Sequence, residues 1–171
     1  MMLIQSELLR LRAAVELDIQ FIMDTECHPE NTNFIGQWDY ERHLAGLKDP
    51  NMLYMIIENT EGEQAGFIIL TGLQDPNQSV CLERIAMQMK GKGYGKEAVR
   101  LVTTWVFEHT GAHRFWLDVK VFNARARHVY QSAGFITEGT LRDASKRGSV
   151  FESLVIMSQL RPEYMLRKES K

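Results

Sequence analysis

Glycines stand at positions 91, 93 and 95, interleaved with Lys90, Lys92, Tyr94 and Lys96, immediately before an apolar-periodic run. Bare backbone at the mouth of a helix suits an anion. The first helical N–H groups have no internal partner and carry the positive end of the helix dipole. Without Cβ atoms in the way, a phosphate can approach that backbone closely. Spacing excludes two familiar nucleotide loops. In G-x-G-x-x-G the third glycine, counted from Gly91 or Gly93, falls on Lys96 or Ala98. In G-x-x-x-x-G-K-[ST] the places before and after Gly95-Lys96 are taken by Lys90 and Glu97. The pattern that fits is a basic residue, two residues, glycine, one residue, glycine, supplied by Lys90 through Gly95.

Such a loop needs a strand to deliver it and a helix to follow it. "SVCLERIAMQM" (79–89) reads as that strand. Ala98, Leu101, Val102, Trp105, Val106 and His109 recur at spacings of three and four, which predicts an amphipathic helix over 95–109. Upstream, 8–15 alternates as a strand, and "ELDIQFIMDTE" reads as a helix with Leu17, Phe21 and Ile22 on one face. A polar loop, "CHPENTNFIGQW", and a short helix stopped at Asp49-Pro50 come next. "NMLYMIIEN" and "QAGFIILTGL" flank "TEGE" as an antiparallel hairpin. Downstream come a strand at 114–121, a helix at 123–134 capped by Asn123 and stopped by Gly134, and two strands joined through "SKRGS". Pro162 and the charged tail are expected to end the domain. The sum is an α+β fold of one domain over 1–171, with a core at 8–165. Its mixed, mostly antiparallel sheet of about seven strands is flanked by about four helices.

Bulk properties narrow the partners. The formal net charge of −2 gives no overall attraction to nucleic acid. The N-terminal "MMLIQSELLRLR" brings in Glu7 and Arg10 too early for a signal peptide or a membrane span, so a cytoplasmic protein is expected. Cys27 and Cys81 lack metal-site spacing and are read as reduced thiols in or near the core.

A second motif lies downstream. "LDVKVFNARARHVYQSAGF" ends a strand, starts a helix at Asn123, sets Tyr130 two turns in and closes on Gly134-Phe135. Together with Lys90–Gly95, this resembles the GNAT superfamily of acyl-CoA-dependent N-acetyltransferases. Lysine at 90 is a mild departure from the usual arginine or glutamine. "PEN", "FIGQW", "RIAMQMKGKGYG", "GAHRFWLDV", "NARA", "GFITEGTLRD" and "VIMSQL" resemble its branch of RimJ/RimL-type ribosomal-protein and polyamine acetyltransferases, over about residues 8–165.

The resemblance implies a GNAT fold and acetyl-CoA as co-substrate, with no metal. Its pyrophosphate is expected over the N–H groups of Gly91, Lys92, Gly93, Tyr94, Gly95 and Lys96. The pantetheine arm is expected along main-chain atoms of Ile85 and Met87, with Lys90, Lys92 and Lys96 either adding charge or simply solvated. Asn123 is an N-cap, a cofactor contact, or both. Tyr130 is either a core aromatic or the general acid that protonates the leaving thiolate. Glu83 is the candidate base, unless it pairs with Arg84 or points to the other face. His28 and Glu30 are candidates for the acceptor side.

The acceptor implied is a primary amine, either a protein N-terminus or a polyamine. Asp24, Glu26, Glu30, Asp39 and Glu41 would form an acidic funnel for a polycation, or else a solvated helix face. A non-catalytic acyl-CoA sensor is the competing function. A homodimer is plausible from exposed sheet edges.

Overall fold

A computed structural model of the chain describes residues 1–170. In chain order the elements are β1 (Met2–Gln5), β2 (Leu9–Ala13), α1 (Ile19–Glu26), α2 (Tyr40–Lys48), β3 (Met52–Asn59) and β4 (Gln64–Thr71). There follow β5 (Ser79–Met87), α3 (Tyr94–His109), β6 (Arg114–Lys120), α4 (Ala124–Ala133), β7 (Ile136–Arg147), β8 (Val150–Leu160) and α5 (Arg161–Glu169). The strands form one sheet in the order β1-β2-β3-β4-β5-β6-β8-β7. Every neighbouring pair is antiparallel except β5 and β6.

Alternation along the central strands builds a core on each face. On β3, Met55 and Ile57 join a cluster with Leu9, Ile68, Val102, Phe107 and Phe115 beneath α3 and α4. Tyr54 and Ile56 turn the other way, against Phe67, Ile69 and Ile22 of α1. Each such side chain, fully buried, contributes on the order of 1.5–3 kcal/mol. The central strands β3, β4 and β5 are therefore covered on both faces.

Of the irregularities in the sheet, two shape the site. Ile69 pairs with Arg84 and Leu70 with Leu82, so Glu83 is an extra residue on β5, a β-bulge. The bulge resets the alternation: Val80 and Leu82 pack on the α3 face, and so do Ile85 and Met87. The strict alternation that would send Glu83 and Arg84 to opposite faces does not hold there. The second irregularity is at β6, which pairs with β5 only through Ser79–Cys81 against Arg114–Trp116. Beyond Cys81 the two strands separate.

Several sequence expectations are corrected. There are eight strands and five α-helices among the described residues, where about seven and four were expected. β1 is four residues at an edge, too short to show a period. Pro162 begins α5 instead of ending the domain, because proline at the first helical positions loses no internal hydrogen bond. Leu17 lies in a 3-10 turn, 92% exposed, and Ile19 takes the buried place with Ile22. "SKRGS" is mostly strand, with β7 running to Arg147 and β8 starting at Val150. Cys81 is buried as expected, but Cys27 is exposed.

Candidate active site

The separation of β5 from β6 opens a cavity of about 1050 Å³ that runs from the glycine loop to the β7–β8 hairpin. Its floor is backbone. From Leu82 to Met87, β5 has no sheet partner on the β6 side, so its N–H and C=O groups there face the cleft. An extended amide-bearing arm can add to such an edge as a strand would. Ile85 and Met87 line this stretch.

At one end the glycine loop leads into α3. Gly91 and Gly93 have φ of +75° and +74°, a backbone state that favours glycine. A Cβ built on either would meet no protein atom within 4 Å, so the space over the loop is open to a ligand. Gly93 is the N-cap of α3, with no side chain capping the helix. The free N–H groups of that turn are an anion site. Gly91, Gly93, Tyr94, Gly95, Lys96 and Lys90 line it, and Arg125 at the start of α4 joins them. Lys92 stands apart: its Nζ lies 5.9 Å over the Tyr94 ring and it does not line the cavity. The Lys90 ammonium donates to Asn31 Oδ1 at 2.6 Å. Asn31 in turn donates to the carbonyls of Thr25 and Met87, at 2.8 and 3.1 Å, and so ties the loop after α1 to the end of β5.

In the middle stand Asn123 and Tyr130. Asn123 Oδ1 accepts from the Ala126 amide at 3.2 Å, the N-cap role, while its residue still lines the cleft. The cap starts α4, and Gly134 with φ of +106° stops it. Tyr130 is 8% exposed, packs its ring against Phe135, and reaches the cavity wall. Burial pushes its phenol well above the usual tyrosine range, and the charge of Asp118 pushes it further. The group is thus held as a neutral O–H, the form that can donate.

On the face of α1 and α2, Glu83 of the bulge lines the cleft. Its neighbour Arg84 does not neutralise it. Arg84 Nη1 donates to Glu26 Oε1 at 2.5 Å, and Trp38 stacks on the guanidinium at 4.2 Å. Glu26 is fully buried and also accepts from His43 Nε2 at 3.2 Å and from the Trp38 amide at 3.0 Å. Burial alone would raise its carboxyl, but the His43 bond, the Arg84 charge and the Trp38 amide outweigh it and hold it below the ordinary range. This network locks α1, α2 and the intervening loop to β5 beside the bulge.

Across from Glu83, Asp118 of β6 also lines the cleft. The two sit at equal steps beyond the last pair of the register, Cys81 with Trp116. Both charges are felt by Cys81, whose thiol is pushed up to about 12, by burial first. Asp118 opens to the cleft, yet enough protein surrounds it that burial raises its carboxyl, against the opposing charge of Lys120. Glu30 lines the cavity, while His28 does not and instead accepts the Glu30 amide with Nδ1 at 3.3 Å.

The sequence-derived residues thus converge, apart from Lys92 and His28. The acidic funnel does not form. Glu26 is spent on Arg84, Asp39 caps α2 by accepting the Arg42 amide, and Asp24 accepts from Gln20. Of that group only Glu30 reaches the cavity. Sequence reasoning missed Asn31, Asp118, Lys120, Arg125 and the hairpin residues. The alternation of Leu117 and Val119 with Asp118 and Lys120 was the available signal for two of them.

Comparisons with known proteins agree with this geometry. Residues 9–136 match the acetyltransferase (GNAT) domain. The chain is 24% identical to the spermidine N(1)-acetyltransferase of Vibrio cholerae, over 94% of this chain and 98% of that one. It is 30% identical to the Bacillus subtilis protein named "putative ribosomal N-acetyltransferase YdaF", over 74% of this chain and 67% of that one. Among solved structures, the V. cholerae spermidine N-acetyltransferase in complex with CoA and spermine superposes with a TM-score of 0.83 at 20% identity, covering 92% and 98% of the two chains. With its domain match spanning most of the sheet and the whole glycine-loop side of the cleft, the chain belongs to the GNAT family of N-acetyltransferases.

Proposed function

We propose that the protein transfers an acetyl group from acetyl-CoA directly to a primary amine in a ternary complex. The observation that carries this reading is the single cleft that joins an uncapped helix N-terminus, an unpaired strand edge, a neutral phenol and two carboxylates. The residues fit acetyl-CoA. The N–H groups of residues 91–96 would hold its pyrophosphate, with Lys96, Lys90 and Arg125 adding charge. The main chain of Ile85 and Met87 would hold its arm, beside Asn123. When bound, acetyl-CoA supplies an acyl group already activated as a thioester.

The chain's own residues then move protons. An acceptor ammonium must lose one proton before its nitrogen can attack. Glu83 takes that proton, and Asp118 faces it across the opening. The Tyr130 hydroxyl donates to the sulfur that leaves, and a second amine proton restores the balance through the cleft. Glu30, its amide held by His28, borders the acceptor side. Two of the relatives are named as spermidine and ribosomal N-acetyltransferases, and spermidine offers primary amines. The long exposed edge of β7 supports a homodimer.

Calorimetric titration with acetyl-CoA, followed by thiol release over a panel of amines, tests this. Binding with acceptor-dependent release of CoA is expected. Binding without release from any amine would overturn the transfer step, and no binding would overturn the reading of the glycine loop.

A further inference from the structure

One wall of the cleft is neither helix nor strand. Residues 29–37, between α1 and α2, line it from the glycine turn to the bulge. At the bulge end the loop lies close to the neighbour of Glu83: a Cβ built on Gly36 would stand 3.2 Å from Arg84 Nη2. Midway, Asn33 accepts from Arg147, and the Phe34 ring centroid lies 5.9 Å from that of Phe122. At the other end the loop is organised around Asn31. Its carbonyl accepts from the Phe34 and Ile35 amides, at 2.9 and 3.1 Å, and its own amide donates to the His28 carbonyl at 2.8 Å. Its side-chain Nδ2 is occupied by the Thr25 and Met87 carbonyls.

That leaves the side-chain oxygen of Asn31, and Lys90 answers it. Asn31 is 6% exposed, so its oxygen has little access to water. Without the ammonium, a buried acceptor would be left unpaired and the loop would lose its tie to the glycine turn. Lys90 also has donors to spare. An ammonium carries three N–H bonds, and Asn31 takes one. The residue lines the cleft beside the free N–H groups of the turn, where an anion can be met without breaking the bond to Asn31. Burial disfavours the charged ammonium and Glu30 supports it; a phosphate at the turn adds to that support.

We infer that Lys90 is a positioning residue that couples the two ends of the site: one of its donors holds the loop 29–37 through Asn31, and the others meet the pyrophosphate of acetyl-CoA. Bound acetyl-CoA thereby firms the wall that runs on to Glu83. The inference rests on the acetyl-CoA reading of the glycine turn.

The test is amide exchange, read by mass spectrometry on the whole protein with and without acetyl-CoA, at a concentration that saturates each variant in calorimetry. The amides of Asn31, Thr32, Phe34 and Ile35 are hydrogen-bonded within the loop and serve as reporters. In the native protein acetyl-CoA should slow their exchange about 10-fold. In Lys90→Met the loop should exchange faster than native before any ligand is added, and saturation should protect residues 82–87 without slowing the loop. Lys90→Arg, which keeps charge and donors, should restore the slowing. Acetyl-CoA binding that leaves loop exchange unchanged in the native protein would overturn the inference and leave the enzyme reading standing, and so would equal slowing in Lys90→Met and native protein. No binding of acetyl-CoA to the native protein would overturn both.

Discussion

In the proposed mechanism Tyr130 is the proton donor to the leaving sulfur. Its phenol is buried against Phe135, kept protonated and open to the cleft. Tyr130→Phe removes one oxygen and leaves the packing, so kcat should fall about 100-fold while acetyl-CoA affinity in calorimetry stays within error. Glu26 makes a different prediction, one about stability. Its folded carboxyl lies below the ordinary glutamate value of 4.5, so its contribution is complete above that pH and is lost as pH falls through the lower folded value. Acid unfolding of the native protein should therefore steepen below about pH 4.5, and Glu26→Gln should flatten that limb. Replacing Arg84 by Met leaves the buried Glu26 charge with only His43 and the Trp38 amide, and chemical denaturation should report a loss of about 3 kcal/mol or more.

At the scale of elements, the bare turn before α3 separates folding from binding. Gly93→Ala meets no protein atom, so its cost to stability is the left-handed strain alone, about 1–2 kcal/mol. Its Cβ would stand where the loop is open, and acetyl-CoA affinity should fall by more than the melting temperature suggests. Titration and thermal melts on the same variant check this. The glycine loop, the strand before it and the Asn123–Gly134 helix are legible in sequence because each depends on local spacing and caps. β1 is not legible, since four edge residues carry no period, and Pro162 misleads because proline is compatible with both a stop and a start. The bulge at Glu83 shows only in the pairing of β4 with β5, a non-local fact. Arg147 and Asn31 escape for the same reason, since Asn33 for the one and Met87 and Lys90 for the other lie far away in the chain, whereas Asp118 shows only in the alternation of β6.

For the whole molecule the decisive feature is the parting of β5 and β6. One plate holds β1 to β5 and the other β6, β8 and β7, and their ladder is joined by three residue pairs. Arg147 with Asn33, and the Asn31 bonds, are cross-ties between loop, hairpin and strand near the same gap. A ligand arm that pairs with the free edge of β5 would continue the plate where the chain itself does not. Substrate and stability are then linked by mass action: acetyl-CoA at 100 times its Kd should add about 2.7 kcal/mol to unfolding. Amide exchange should slow first along residues 82–87, before any acceptor is present. In that sense the protein borrows part of its architecture from the molecule it consumes, and each turnover returns it.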